Sequence, residues 1–156
     1  MNKIFTTRHL LAGLMVGCFD IAAACIQYFI STGKNPQGVL MYVASGVFGK
    51  QAFEGGTMIV ISGLIFHFMI AMSFTFLFFA LVSWFPNLLT QKMLLVILYG
   101  IFMWAFVRFC IMPFSLINPP PFKLKNAAIA AMILMVCISL PLSLIAGREL
   151  KQADSQ

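Results

Sequence analysis

Charge is scarce in this sequence. Only 9% of its 156 residues are Asp, Glu, Lys or Arg, against about 25% in an ordinary soluble domain. There is too little polar sequence to cover a water-facing surface. The four acidic residues and two histidines are too few and too dispersed for a metal cluster. The histidines also fall at different depths, which argues against a bis-histidine haem. Walker-type phosphate loops, HExxH, GxSxG and CxxCH patterns are all missing, so neither an enzyme nor a bound cofactor is expected. Cys18, Cys25, Cys110 and Cys137 lie inside apolar runs and form no CxxC pair; they read as small packing residues, not as ligands or disulfides. No basic cluster is interleaved with aromatics, which excludes nucleic acid as a partner. A charged ring, a channel filter and an internal repeat are also lacking, which weighs against a single-chain inverted-repeat transporter.

What is present is hydrocarbon. Apolar residues make up 62% of the chain and the mean hydropathy is +0.99. The apolar stretches are continuous, not alternating, so helices are expected and strands are not. Four runs reach the ~20 residues that cross a bilayer core: about 10–30, 57–84, 93–112 and 127–146. The expected fold is therefore all-α, a single four-helix transmembrane bundle lodged in the lipid bilayer. The first run is too long for a signal-peptide core and is taken as a retained span. Breakers flank the runs: Ser31-Thr32-Gly33, Phe85-Pro86-Asn87, Pro113 and Pro119-Pro120-Pro121. Asn126 and Gly147 are the expected ends of the fourth helix, and Pro141 should kink it.

Between the first two runs lies an unusual linker. Asn35-Pro36 is a helix start, and the apolar stretch 39–48 is too short to span. Segment 36–53 is expected to form an interfacial or re-entrant helix. Four spans put both termini on one face. Lys3, Arg8, Lys92, Arg148 and Lys151 fall on that face, against Lys34, Lys50, Lys123 and Lys125 on the other. This bias, together with the closeness of Arg8 and Arg148 to their spans, predicts cytoplasmic termini.

Asp20, His67 and Arg108 are the ionisable residues well inside the spans. A charge there costs at least about 2.5–3.5 kcal/mol, so such residues face protein or a water cavity and have partners. Measured from the linker face, helical rise places Asp20 at ~16 Å, His67 at ~15 Å and Arg108 at ~7–12 Å. All three can form one polar layer. The faces agree: Gly13, Gly17, Asp20, Ala24 and Gln27 form one small and polar stripe, Gly63 precedes His67 by one turn, and Gly100, Trp104 and Arg108 align. Gly13 and Gly17 have the spacing that lets helices approach closely. Two readings compete, and in a third some of the three residues do not meet at all. One is a buried Asp20–Arg108 pair that fixes helix register, with His67 hydrogen-bonded beside it. The other is a proton-linked or ligand-binding centre. An ionised Asp20 beside a guanidinium would leave His67, with an ordinary pKa of about 6.5, as the group that responds to pH.

Other candidates are read blandly. Glu54 suits a helix N-terminus or a pairing with Lys50. His9 beside Arg8 is placed at the interface. The 17 Phe and 11 Met face lipid and core. Trp84 belongs to an interfacial belt, and Trp104, one turn from Arg108, could stack on it.

These residues also carry a likeness. The second run holds Gly63-Leu64-Ile65-Phe66-His67, and the third holds Tyr99-Gly100, Phe106-Val107-Arg108, Ile111-Met112-Pro113-Phe114 and Asn118-Pro119-Pro120. In this pattern the chain resembles the YagU-like small bacterial inner-membrane proteins, with a histidine in a middle span and a proline-rich ending to a later one. It departs from them in a shorter first linker and in having arginine at position 108. The resemblance implies a multi-pass protein of the bacterial inner membrane and a suggestion of acid-stress involvement; it implies no catalytic residues. The leading expectation is a non-enzymatic membrane protein whose polar centre binds or passes a small solute or proton, as a homo-oligomer. The alternative is an accessory subunit of a larger membrane complex. A lipid- or quinone-modifying enzyme comes third.

Overall fold

A computed structural model of the chain describes residues 6–116 and 121–153. The described residues are helical, with no strand among them. In order come α1 (Thr7–Thr32), α2 (Gln37–Phe48), α3 (Thr57–Trp84), α4 (Lys92–Phe106), α5 (Leu124–Leu134) and α6 (Leu140–Ala153). Four helical stretches are long and apolar enough to cross a membrane: Thr7–Thr32, Thr57–Trp84, Pro86–Phe114 and Leu124–Glu149. Between 22% and 39% of each is buried inside the protein. The remainder presents side chains such as Leu11, Ile30, Ile65, Met69 and Phe109 outward. No soluble fold can expose such a surface to water, whereas lipid covers it without cost. The protein is thus a multi-pass membrane protein built as a four-helix bundle, as composition and run length predict.

The helix ends follow local chemistry. The Thr6 hydroxyl accepts from the His9 amide at 3.4 Å and caps α1. Gly33 closes α1 in a left-handed conformation (φ 66°), its N–H donating to the Phe29 carbonyl at 2.8 Å. Asn35 starts α2, its Oδ1 accepting from the Gln37 amide at 3.0 Å. Phe85 (φ −130°, ψ 72°), outside the helical region before Pro86, ends α3.

The last span differs from expectation at both ends. It starts at Leu124, ahead of Asn126, with no side-chain cap, and it runs straight through Gly147 to Ala153. Gly147 instead lies against the Lys92 side chain, so its missing Cβ makes room for a neighbour. Pro141 sits just after a wide π turn, Met135–Ser139, that joins α5 to α6. Proline cannot donate to the carbonyl one turn back, and the widened turn accommodates that loss. A second π turn, Val107–Ile111, continues α4 toward Pro113. Asn118, Pro119 and Pro120 lie outside the described residues.

The core sits between α1, α3, α4 and α6. Val16, Phe78, Met103, Ile138 and Leu142 are fully buried there, with Phe74 and Tyr99 beside them. Tyr99 stands edge-on to Phe78 with ring centroids 5.0 Å apart, and its hydroxyl donates to the Phe74 carbonyl at 2.6 Å. The start of the first span and the end of the last lie on one side, here termed the terminal face. The opposite side, the linker face, carries α2.

Candidate functional site: a buried histidine–aspartate pair beneath a re-entrant helix

Glycine brings α1 and α3 together. A Cβ at Gly17 would stand 2.8 Å from the Phe68 ring, and one at Gly13 would collide with Met72 and stand 3.3 Å from the Thr75 hydroxyl. The small stripe of α1 is therefore spent on α3, as its spacing predicts. Close approach has a second effect: it exposes the Gly17 carbonyl to α3. His67 Nε2 lies 3.0 Å from that oxygen. A carbonyl only accepts, so Nε2 carries the proton and Nδ1 is the ring atom left to take one up. Asp20, one turn further along α1, places Oδ2 3.9 Å from the same Nε2. That is an ion-pair distance and not a hydrogen bond. The two side chains are 11% and 14% exposed, so each depends on the other for solvation. Asp20 is also within electrostatic reach of Cys137 on the π turn of the last span.

Arg108 does not complete a trio. Asp20 pairs with His67, and the expected Asp20–Arg108 bridge does not form. Arg108 lies less than two turns from Phe114, the end of its span, whereas Asp20 lies more than three turns from Thr32. The arginine Nη1 reaches further toward the linker face, donating to the Met112 sulfur at 3.6 Å. A guanidinium near a span end is solvated more easily along its own helix than at mid-membrane. Arg108 also acts on Tyr42 of α2. Burial pushes the Tyr42 phenol above its ordinary value, and the Arg108 charge draws it back down.

The supporting residues divide in the same way. Gly63 faces α2 rather than the pair: a Cβ there would land on the Leu40 carbonyl oxygen and stand 2.7 Å from its carbon. Gly100 admits Met135 of the last span. Gln27 turns to Ser31 at 2.9 Å, away from Asp20. Trp104 meets Phe109 edge-on at 5.9 Å and Phe122 at 6.3 Å, and does not stack on Arg108. Glu54 is exposed and makes no ion pair among the described residues. The four cysteines are free, Cys18 and Cys110 on the outside. Among the described residues no group of three metal-ligating side chains occurs.

The short helix α2 packs over the linker-face half of α3. Its backbone crosses α3 at Gly63, its Gly38 packs under the Tyr28 phenol, and its Gly46 carbonyl accepts from the Leu116 amide at 3.0 Å. Phe48 leans on Phe66 of α3 at 6.0 Å. These contacts reach well past the first turn of α3, so α2 enters the bundle rather than lying on its rim. A lateral groove between α1 and α3 is lined by Leu14, Leu64, Phe68 and Met72. Neither His67 nor Glu54 lines it.

Sequence reasoning undervalues one residue. His9 is buried at the start of the first span. Its Nε2 lies 3.2 Å from Glu149 Oε2, and its ring stacks on Phe79 at 3.9 Å between centroids. The partner comes from the opposite end of the chain, and no local spacing signals that pairing.

Comparison of the chain with protein-family models, with curated proteins and with solved structures returns no match.

Proposed function

We propose that this protein is a non-enzymatic, proton-responsive membrane protein whose working centre is the Asp20–His67 pair, coupling proton binding to the binding or passage of a small solute. The observation that carries this reading is the two-sided environment of His67 Nε2, between the Gly17 carbonyl at 3.0 Å and the Asp20 carboxylate at 3.9 Å. Proton uptake at Nδ1 turns the neutral ring into a cation. The 3.9 Å contact then becomes a full charge pair in a medium where Coulomb forces are weakly screened. Any gain in that attraction bears on the α1–α3 contact itself, because both partners sit on the crossing. Tyr42 and Arg108, on the linker face, form the polar surroundings through which a solute would approach.

The reading as an accessory subunit needs a flat small-residue face on the outside. Gly13 and Gly17 are instead consumed by α3, which favours a role intrinsic to the bundle. The likeness to the YagU-like proteins supports a place in a bacterial inner membrane, and Arg8, Lys92 and Arg148 on the terminal face support cytoplasmic termini. Operation as a homo-oligomer belongs to the same proposal.

The test is imidazole-resolved NMR of purified protein in micelles across pH 4.5–8, a range bracketing the ordinary histidine value of about 6.5, with thermal stability measured in parallel. Wild type should show a His67 titration that Asp20→Asn displaces, and a pH-dependent stability step that His67→Gln abolishes. A His67 signal that is flat across the range, with identical stability profiles in wild type and H67Q, would reduce the pair to a fixed structural contact.

A further inference from the structure

Both histidines of the chain are buried, and each faces one of its four carboxylates. The two pairs lie at different depths. Counted from the linker-face ends of their helices, His67 and Asp20 lie about three turns in, and His9 and Glu149 about six to seven turns in. One pair is thus near mid-membrane and the other at the terminal face. Three hydroxyls with essentially no solvent exposure fall between them: Ser139 about four turns in, then Thr75 and Ser143, each about five. Thr75 and Ser143 donate to carbonyls of their own helices, at 2.9 Å to Ala71 and 2.8 Å to Leu140. A donating hydroxyl keeps its oxygen lone pairs for a further partner.

Ser139 is different. Among the described residues its Oγ is the buried side-chain polar atom without a hydrogen-bond partner. It sits at the end of the π turn that packs on α1 and α4, the turn that also carries Cys137, within electrostatic reach of Asp20. Burying a hydroxyl unpaired is costly, and native proteins meet that cost with an internal water or a functional partner. π turns are found disproportionately at functional sites.

We propose that the two pairs are the ends of one proton path across the membrane, with Ser139 as its relay. This rests on the proton-binding reading of Asp20–His67 and adds an exit. A proton enters from the linker face past Tyr42 and Arg108 and is held at His67 with Asp20. It passes to water held by the Ser139 hydroxyl, continues by way of Thr75 and Ser143, and is received by Glu149 and His9. Each hop breaks one N–H or O–H bond and forms another, so the path needs no co-reactant; reorientation of the hydroxyls and water resets it. Next to the receiving pair in sequence are Arg8 on α1 and Arg148 on α6, and Lys92 at the start of α4 packs on Gly147, two residues before Glu149. At the entry pair Cys137 lies within electrostatic reach of Asp20, while Tyr42 and Arg108, which interact with each other, lie nearer the linker face. The cations at the terminal face favour release of the proton there.

The experiment is proton flux into proteoliposomes of the full chain, driven by a potassium–valinomycin potential and read by an entrapped pH dye. Among the described residues the Ser139 hydroxyl bonds to no protein group, so Ser139→Ala should fold normally and retain the His67 titration. It should nevertheless lower the flux by about tenfold or more, as should His9→Gln. Flux that is equal in wild type and S139A overturns the relay. Absence of flux in wild type while His67 still titrates overturns the path and leaves the proton-binding centre standing. Loss of the His67 titration in wild type overturns both.

Discussion

Substituting Gly63 by alanine tests the geometry that seats α2. A Cβ at this position would overlap the Leu40 carbonyl oxygen and stand 2.7 Å from the carbonyl carbon and 3.2 Å from Cα. These are backbone atoms and cannot rotate aside. Ordinary carbon–carbon contact lies at about 3.5–4.0 Å, so α2 must retreat by about 1 Å, and a gap of that size forfeits a quarter to a half of each contact it opens. Overpacking of this kind costs about 1–3 kcal/mol. The intrinsic helix gain of Gly→Ala, up to about 1 kcal/mol, opposes it. The net expectation is a loss of up to about 2 kcal/mol, concentrated on α2. Gly46→Ala is the control, because a Cβ there meets Ser115 at 3.7 Å, an ordinary contact; it should be neutral or slightly stabilising. The assay is reversible unfolding in mixed micelles together with thiol labelling of Ala44→Cys, a fully buried position on α2. In G63A the thiol should become reactive while the four spans stay folded. Unchanged stability and an unreactive thiol would refute the close crossing of α2 and α3.

Other consequences are open to direct measurement. In double-mutant cycles, Asp20 and His67 should couple by about 0.5–3 kcal/mol, while Asp20 and Arg108 should be additive within about 0.5 kcal/mol; the opposite pattern would restore an aspartate–arginine bridge. Tyr99→Phe should cost about 0.5–1.5 kcal/mol through loss of the hydrogen bond to the Phe74 carbonyl, and unchanged unfolding would show that the bond contributes nothing net. Single cysteines at Gln51 and Gln91, both exposed, should label from opposite sides of the membrane. Labelling of both from the same side contradicts the four-span order.

Much of the architecture is legible in the chain because lipid imposes a one-dimensional rule. A helix that satisfies its own backbone and is apolar for ~20 residues spans the bilayer whatever it packs against. The four spans, the short α2 and the stop at Gly33 all follow from that rule and from local turn chemistry. The Gly13–Gly17 stripe is legible too, since spacing on one helix defines its face.

Partner choice is another matter. Asp20, His67 and Arg108 share a depth range, but which two meet depends on how the helices cross and on where a π turn or a proline redirects one. Gly63 and His67 share a face of α3 by spacing, yet one seats α2 and the other bonds Gly17, because α2 occupies only the linker-face half of that face. His9 meets Glu149 because the last span runs past Gly147. Run length and composition are enough to give the spans, their order and the candidate polar residues, since lipid reads nothing else. That Asp20 pairs with His67, that Arg108 reaches toward the linker face and that the Ser139 hydroxyl finds no partner among the described residues follow from helix phase and crossing, which are set by contacts between distant segments and which no local pattern encodes.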